Sequence, residues 1–262
     1  MYPYFTLFGK TIGLYPLISV IGVLLALFFT YRLAEKRKLD EIKMLYLMLI
    51  AFAGGVIGAH ILYGLVGFDQ IIWFVRNINS IDSFGTLINR IVAIFGGGVF
   101  YGGLLGGMAA GAIYLKKAAL SAEYADIAIT SIPLFHVFGR IGCFMGGCCY
   151  GTESPFGFTY TRALIPEANG VSRFPVQLLE SFLCLLLFLV MFRLIKRRML
   201  CGKLLPFYFI SYGIIRFSLE FLRGDEIRGR WLIFSTSQWI SIVLIIAGII
   251  WFALGSRKKT AD

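Results

Sequence analysis

Seven long apolar stretches divide the chain, at 12–34, 44–68, 91–115, 122–140, 175–192, 204–222 and 237–254. Each is close to the roughly 20 residues a helix needs to cross hydrocarbon. Polar connections separate them. Residues 69–90 are too polar to span, but their IIWFV run suits the membrane interface. Residues 151–174 contain Pro and Gly, and 223–236 turn the chain back. The pattern predicts an all-α polytopic membrane protein with seven transmembrane helices. It forms a single integral membrane domain over 1–262, with no room for a separate soluble domain. The N-terminus has neither the basic start nor the small-residue cleavage site of a signal peptide and reads as mature protein.

Composition agrees: 58% of residues are hydrophobic and 15% charged, far from a soluble domain. The charge is unevenly placed. Alternate ends of the seven spans collect Arg32 to Lys43, Lys116 and Lys117, Arg193 to Lys203, and Arg257 to Lys259, which include every lysine except Lys10. By the positive-inside rule this side is cytoplasmic, which puts the N-terminus outside and the C-terminus in the cytoplasm. The net charge of +11 is then anchorage to anionic lipid heads in the bilayer, and no nucleic-acid partner is needed to explain it.

Against this apolar background a few polar residues stand out. Arg140 lies where the fourth span ends, in HVFGRIGCFMGGCCYG (136–151), and a guanidinium at the edge of hydrocarbon calls for an anionic partner. His136 precedes it by one helical turn. The sixth span carries SYGIIRFSLEFLRGDE, where Arg216 and Glu220 are spaced to pair on one helix face and Arg223 follows seven residues after Arg216. Arg216 is deep enough to need a second partner beyond that carboxylate. Two outward arginines suit a phosphodiester headgroup, because guanidinium forks match phosphate oxygens. In span three, Gly98, Gly102 and Gly106 recur every four residues, as do Gly103, Gly107 and Gly111, so a neighbouring helix can approach closely. Tyr101 sits among these glycines, with its phenol unshielded. The five cysteines give no disulfide framework, since Cys148 and Cys149 are adjacent and poorly shaped to bridge. The C-x4-CC run of Cys143, Cys148 and Cys149 has no common zinc spacing, so neither metal nor cofactor is expected.

Seven stretches in order carry a resemblance to the bacterial prolipoprotein diacylglyceryl transferases: LYPLISVIG with Tyr15, GAHILY (58–63), GGGVFYGGLLGG (96–107), GRIGCFMGGCCYG (139–151), RFPVQLLES (173–181), YGIIRFSLEFLRG (212–224) and STSQ (235–238). The resemblance implies a multi-pass protein of the bacterial cytoplasmic membrane. It also implies transfer of a diacylglyceryl group from phosphatidylglycerol to the lipobox cysteine of secreted prolipoprotein signal peptides. Carried over position by position, Arg140 and Arg216 match the two functional arginines, Gly151 closes the signature, and Tyr15 matches a first-span tyrosine. Gln177, Glu180, Glu220 and Gln238 match supporting polar positions, with Arg223, Gly139 and Gly142 beside them.

Three departures concern the reaction centre. The family's His-Gly-Gly reads Tyr101, Gly102, Gly103; its signature asparagine is Cys143 and a polar or acidic signature position is Cys148; and His60 stands where arginine is common. Tyr101 is a poorer base than histidine at neutral pH, and its expected part is to orient the headgroup. His136 is the alternative base. Two other functions remain open: the same chemistry on a different acceptor, and a non-enzymatic lipid-binding or transport protein, though the chain lacks the repeated broken spans of transporters.

Overall fold

The computed structural model describes residues 3–7, 9–78, 83–225 and 230–257. Residues 79–82 and 226–229 of two predicted connections, and Lys258 and Lys259 of the last basic run, lie outside the described residues. The protein is mostly helical and falls into two units, Met1–Leu33 with Ala125–Asp262, and Ala34–Tyr124.

In the first unit a hairpin, β1 (Tyr4–Leu7) and β2 (Lys10–Gly13), leads into α1 (Leu14–Lys36), so the first helix begins two residues later than its apolar pattern. α6 (Ala122–Gly146) contains Pro133. A small cap follows, built on β3 (Glu153–Thr159) and β4 (Ser172–Arg173), where the sequence pattern indicated only a loop. Its core is Tyr150, Tyr160 and Ala168, packed by Phe144, Phe158, Ala163 and Ile165. Burial pushes the Tyr160 phenol up to about 12, which keeps it neutral. α7 (Val176–Lys196), α8 (Leu204–Leu219), the hairpin β5 (Arg230–Trp231) with β6 (Phe234–Ser235), and α9 (Thr236–Arg257) complete the unit. α8 and α9 meet at glycines: a Cβ on Gly213 would lie 3.1 Å from the Ser241 carbonyl, and one on Gly248 2.9 Å from that of Pro206.

The buried face of α7 reads Gln177, Glu180, Ser181, Cys184, Leu187, Met191, Ile195, a helical stripe that is polar at its start and apolar beyond. α8 shows the same division, with Tyr212 and Arg216 toward its end. The polar starts and ends of these helices form the site.

The second unit holds α2 (Glu41–Val66), α3 (Phe68–Arg76), α4 (Phe84–Phe95) and α5 (Phe100–Lys117). The expected glycine approach is present, and its partner is α2. A Cβ on Gly58 would lie 2.9 Å from the Gly106 Cα, and the Gly102 and Gly58 backbones touch across the same contact. The predicted third span, however, is not one helix. It breaks at residues 96–99, where three glycines have no side chains to hold the turn. Carbonyls freed by the break are recovered by His60, whose Nδ1 lies 2.7 Å from the Phe95 oxygen and 2.8 Å from that of Gly97. Since carbonyls only accept, Nδ1 carries the proton.

Among the described residues six helices are long and apolar enough to cross a membrane: Leu14–Lys36, Glu41–Val66, Ala122–Gly146, Val176–Lys196, Leu204–Leu222 and Thr236–Leu254. The chain is a multi-pass membrane protein. The broken α4 and glycine-rich α5 are not among the six, which is where the structure departs from the seven apolar stretches.

Candidate active site

Arg140 does not end its helix, as the hydropathy pattern indicated. Residues 141–146 are all apolar or small, so α6 runs on to Gly146 and stops only at Gly147, which takes a left-handed φ of 69°. Two hydrogen bonds close this end, from Gly147 N to the Phe144 carbonyl at 3.2 Å and from Cys148 N to the Cys143 carbonyl at 3.1 Å. That is a Schellman cap, and a glycine is the residue that forms it without strain. Arg140 is therefore more than a turn inside the helix.

Its partner comes from α7. Arg140 Nε lies 3.0 Å from Glu180 Oε1, and the carboxylate is almost wholly buried, while the arginine side chain keeps 20% exposure. Tyr212 donates to the same oxygen at 3.4 Å. Glu180 Oε2 is buried and makes no hydrogen bond. Such a carboxylate is costly unless paired, and its pairing with Arg140 takes up Nε and not the two terminal nitrogens. His136 packs its ring 4.9 Å from that of Tyr212, which stacks on Tyr208 at 5.5 Å.

One turn beyond Tyr212, Arg216 Nη2 pairs with Glu220 Oε2 at 2.6 Å, as their spacing indicated. Its expected second partner is Ser237, which accepts from Nη2 at 3.0 Å. Arg216 Nη1 remains buried without a hydrogen bond. Glu220 is held in turn by Ser235 Oγ at 2.7 Å. Ser235 and Gln238 form a reciprocal N-terminal cap on α9: Gln238 N donates to Ser235 Oγ at 3.2 Å, and Ser235 N donates to Gln238 Oε1 at 3.0 Å. The STSQ stretch thus caps a helix and fixes both members of the Arg216–Glu220 pair. Arg223 forks onto Asp225 at 2.8 and 2.6 Å and lies 3.9 Å from Glu220.

The remaining predicted positions of this unit are structural neighbours. Gln177 Nε2 donates to the Cys148 carbonyl at 2.8 Å and to Tyr160 at 3.2 Å. Gly142 lies against Tyr15, where a Cβ would come within 3.1 Å of that ring, whereas beside Gly139 the space is open. Gly151 occupies a backbone crossing between Phe174 and Leu222, tied by Thr152 N to the Leu222 carbonyl at 3.0 Å and Phe174 N to the Thr152 carbonyl at 2.9 Å. No side chain fits there. His60, Tyr101, Gly102 and Gly103 belong to the second unit.

Sequence reasoning missed Tyr212, Asp225, Ser235 and Ser237. The STSQ stretch was visible, but only the fold shows that its two serines face an ion pair. Asp225 had a signal, being two residues beyond Arg223. Tyr212 had none, since tyrosine is common near membrane interfaces.

Arg140 and Arg216 are thus each held by a buried carboxylate, and Arg216 keeps a buried nitrogen without a hydrogen bond. The sequence profile of a family described as prolipoprotein diacylglyceryl transferase matches residues 3–254. This chain belongs to that family. Relatives named phosphatidylglycerol–prolipoprotein diacylglyceryl transferase include one from Clostridium tetani, 32% identical over 97% of this chain and 98% of its own length. Another is from Streptococcus pneumoniae serotype 4, 30% identical over 94% and 90%. A relative from Clostridium perfringens, numbered 2 under the same name, is 32% identical over 98% of this chain and 97% of its own. Family membership makes the chain a transferase.

Proposed function

We propose that this protein moves the diacylglyceryl group of phosphatidylglycerol onto the lipobox cysteine of prolipoprotein signal peptides, at the outer side of the bacterial cytoplasmic membrane. The observation that carries the reading is the pair Arg140 and Arg216, anchored by Glu180 and Glu220 with unused guanidinium nitrogens.

In the reaction the acceptor sulfur attacks the primary glyceryl carbon. A carbon–sulfur bond forms, the carbon–oxygen bond to phosphate breaks, and the electron pair leaves on glycerol phosphate. Negative charge grows on that phosphate, so donors fixed beforehand around it favour the transition state. The terminal nitrogens of Arg140 and Nη1 of Arg216 are the donors. The thiol must lose its proton, and free cysteine has a pKa near 8.5. His136 is the imidazole close to Arg140, and its proposed part is to accept that proton. The roles assigned to Tyr101, His60, Gly102 and Gly103 rest on the family resemblance. Cys143, Cys148 and Cys149 form no covalent intermediate, because the acceptor brings its own sulfur.

Seven crossings, with the N-terminus outside and the C-terminus in the cytoplasm, follow if α4 and α5 together make the additional passage. With only six, Lys116 and Lys117, Arg193 to Lys203 and Arg257 to Lys259 would all fall on the side opposite Arg32 to Lys43, against the positive-inside rule. The family match from residue 3 to 254 supports reading the chain as one integral membrane domain.

The test is expression in bacteria depleted of their own transferase, with a model lipoprotein followed by mass spectrometry. Gain of a diacylglyceryl mass on its lipobox cysteine is the expected result. Consumption of phosphatidylglycerol with an unmodified lipoprotein would move the reading to another acceptor. An unmodified lipoprotein with no consumption of phosphatidylglycerol would overturn the assignment of both substrates.

A further inference from the structure

Cys143, Cys148 and Cys149 occupy consecutive parts of the cap that ends α6. Their spacing matches no common metal motif, yet the fold brings the three sulfurs within 4.8 Å of one another. All three are free of disulfides, and the Cys148 thiol donates to the Cys143 carbonyl at 3.7 Å. The proposed transfer forms no covalent intermediate on any of them.

The backbone fixes this convergence. Gly147 turns with φ 69° and Cys149 with φ 57°, a left-handed conformation that a non-glycine residue rarely adopts. Cys148 N is tied to the Cys143 carbonyl, and the Cys148 carbonyl is held at 2.8 Å by buried Gln177. On the following residues, Gly224 N donates to the Tyr150 carbonyl at 3.0 Å. With the backbone so held, the sulfur positions are set by rotation about the three Cα–Cβ bonds.

Two cations face the sulfurs. Arg223 lies within electrostatic reach of Cys149, and Arg140 of Cys143 and Cys149. This matters because metal ligands are thiolates. Three thiols that bind a divalent ion release three protons and leave a centre of net charge −1, for which the guanidinium groups are compensating partners. A cluster of three thiolates selects soft ions such as zinc or copper(I). Zinc–sulfur bonds of about 2.3 Å in a tetrahedron place sulfurs about 3.8 Å apart. The observed spread is at most about 1 Å wider, a gap that rotation about the Cα–Cβ bonds can close. Three protein ligands leave the fourth position open, as in zinc sites that bind an exchangeable ligand. A disulfide is the competing fate, but the adjacent Cys148 and Cys149 are poorly placed to bridge, so a bond could form only from Cys143 and would strand the third thiol.

We propose that Cys143, Cys148 and Cys149 form a three-thiolate binding site for a thiophilic d10 metal ion, with zinc as the ion to test. The proposal is independent of which acceptor the enzyme uses.

The test uses the full-length protein, reduced and purified in detergent, mixed with zinc chloride and freed of excess ion by gel filtration. The expected result is about one zinc retained per chain. In the wild type, bound zinc should also protect Cys143, Cys148 and Cys149 from alkylation, read by peptide mass spectrometry. Exposed Cys201 should be alkylated with and without zinc, and a chelator should restore reaction at the other three. Cys143→Ser, Cys148→Ser and Cys149→Ser should each lower zinc retention about tenfold or more, while Cys201→Ser leaves it unchanged. The alkylation readout needs no variant, so misfolding of a substituted protein cannot mask the answer. Zinc retention equal to that of the triple serine variant, alkylation unaffected by zinc, or a stoichiometric disulfide from Cys143 in protein isolated without reductant would each overturn the proposal.

Discussion

If Arg140 and Arg216 grip one phosphate, their removal must be strongly non-additive. Arg140 commits Nε to Glu180, and Arg216 commits Nη2 to Glu220 and Ser237, so each has donors left for the same headgroup. A preorganised donor at a developing oxyanion is worth about 2.7–4 kcal/mol, or roughly 10²–10³ in turnover. Independent contributions would cost about twice that energy in the double variant, roughly 10⁴–10⁶ in rate. Residues acting as a unit lose little more together than the worse one loses alone, so Arg140→Ala with Arg216→Ala should stay near 10²–10³. Arg140→Lys should be nearly as severe as Arg140→Ala. A lysine is a compact point charge and cannot reproduce the planar fork that spans Glu180 and the substrate. The assay is release of labelled glycerol phosphate from phosphatidylglycerol by purified variants, with folding checked by thermal unfolding in detergent. Additive losses in the double variant, or near wild-type turnover in Arg140→Ala, would refute the shared-phosphate reasoning and leave the two arginines as structural ion pairs.

Three further outcomes follow from the same contacts. Ser235→Ala removes both the α9 cap and the hydrogen bond to Glu220; it should destabilise the protein by about 1–2 kcal/mol and lower turnover less than loss of either arginine, measured by unfolding and activity on one preparation. Gly102→Val places a side chain against the Gly58 backbone and Leu62, so a loss of about 1–3 kcal/mol should appear as a lower unfolding temperature. An unchanged midpoint would show that α2 and α5 can separate freely. A reporter fused after Lys117 should be cytoplasmic and a label at Glu167 accessible from outside; a protected label at Glu167 would reverse the proposed orientation.

Much of this protein was legible in the chain itself because lipid imposes a simple rule: a spanning segment must be apolar and must satisfy its own backbone, so helices announce themselves by length and hydropathy. Six such helices are in the structure where the apolar stretches lie. The Arg216–Glu220 pair was equally plain, since residues four apart on a helix are neighbours whatever surrounds them. Other features depended on contacts between distant parts of the chain. The break at residues 96–99 is stabilised by His60, some forty residues earlier. Glu180 finds Arg140 only because α6 continues past it, which local composition allowed but did not require. Ser235 and Ser237 became partners of an ion pair only when α9 packed on α8. The three cysteines, unpromising by spacing, converge because Gly147 turns the helix end back on itself. Hydropathy and helical spacing are properties of neighbouring residues and can be read in order along the chain, whereas partner choice across helices is decided by packing.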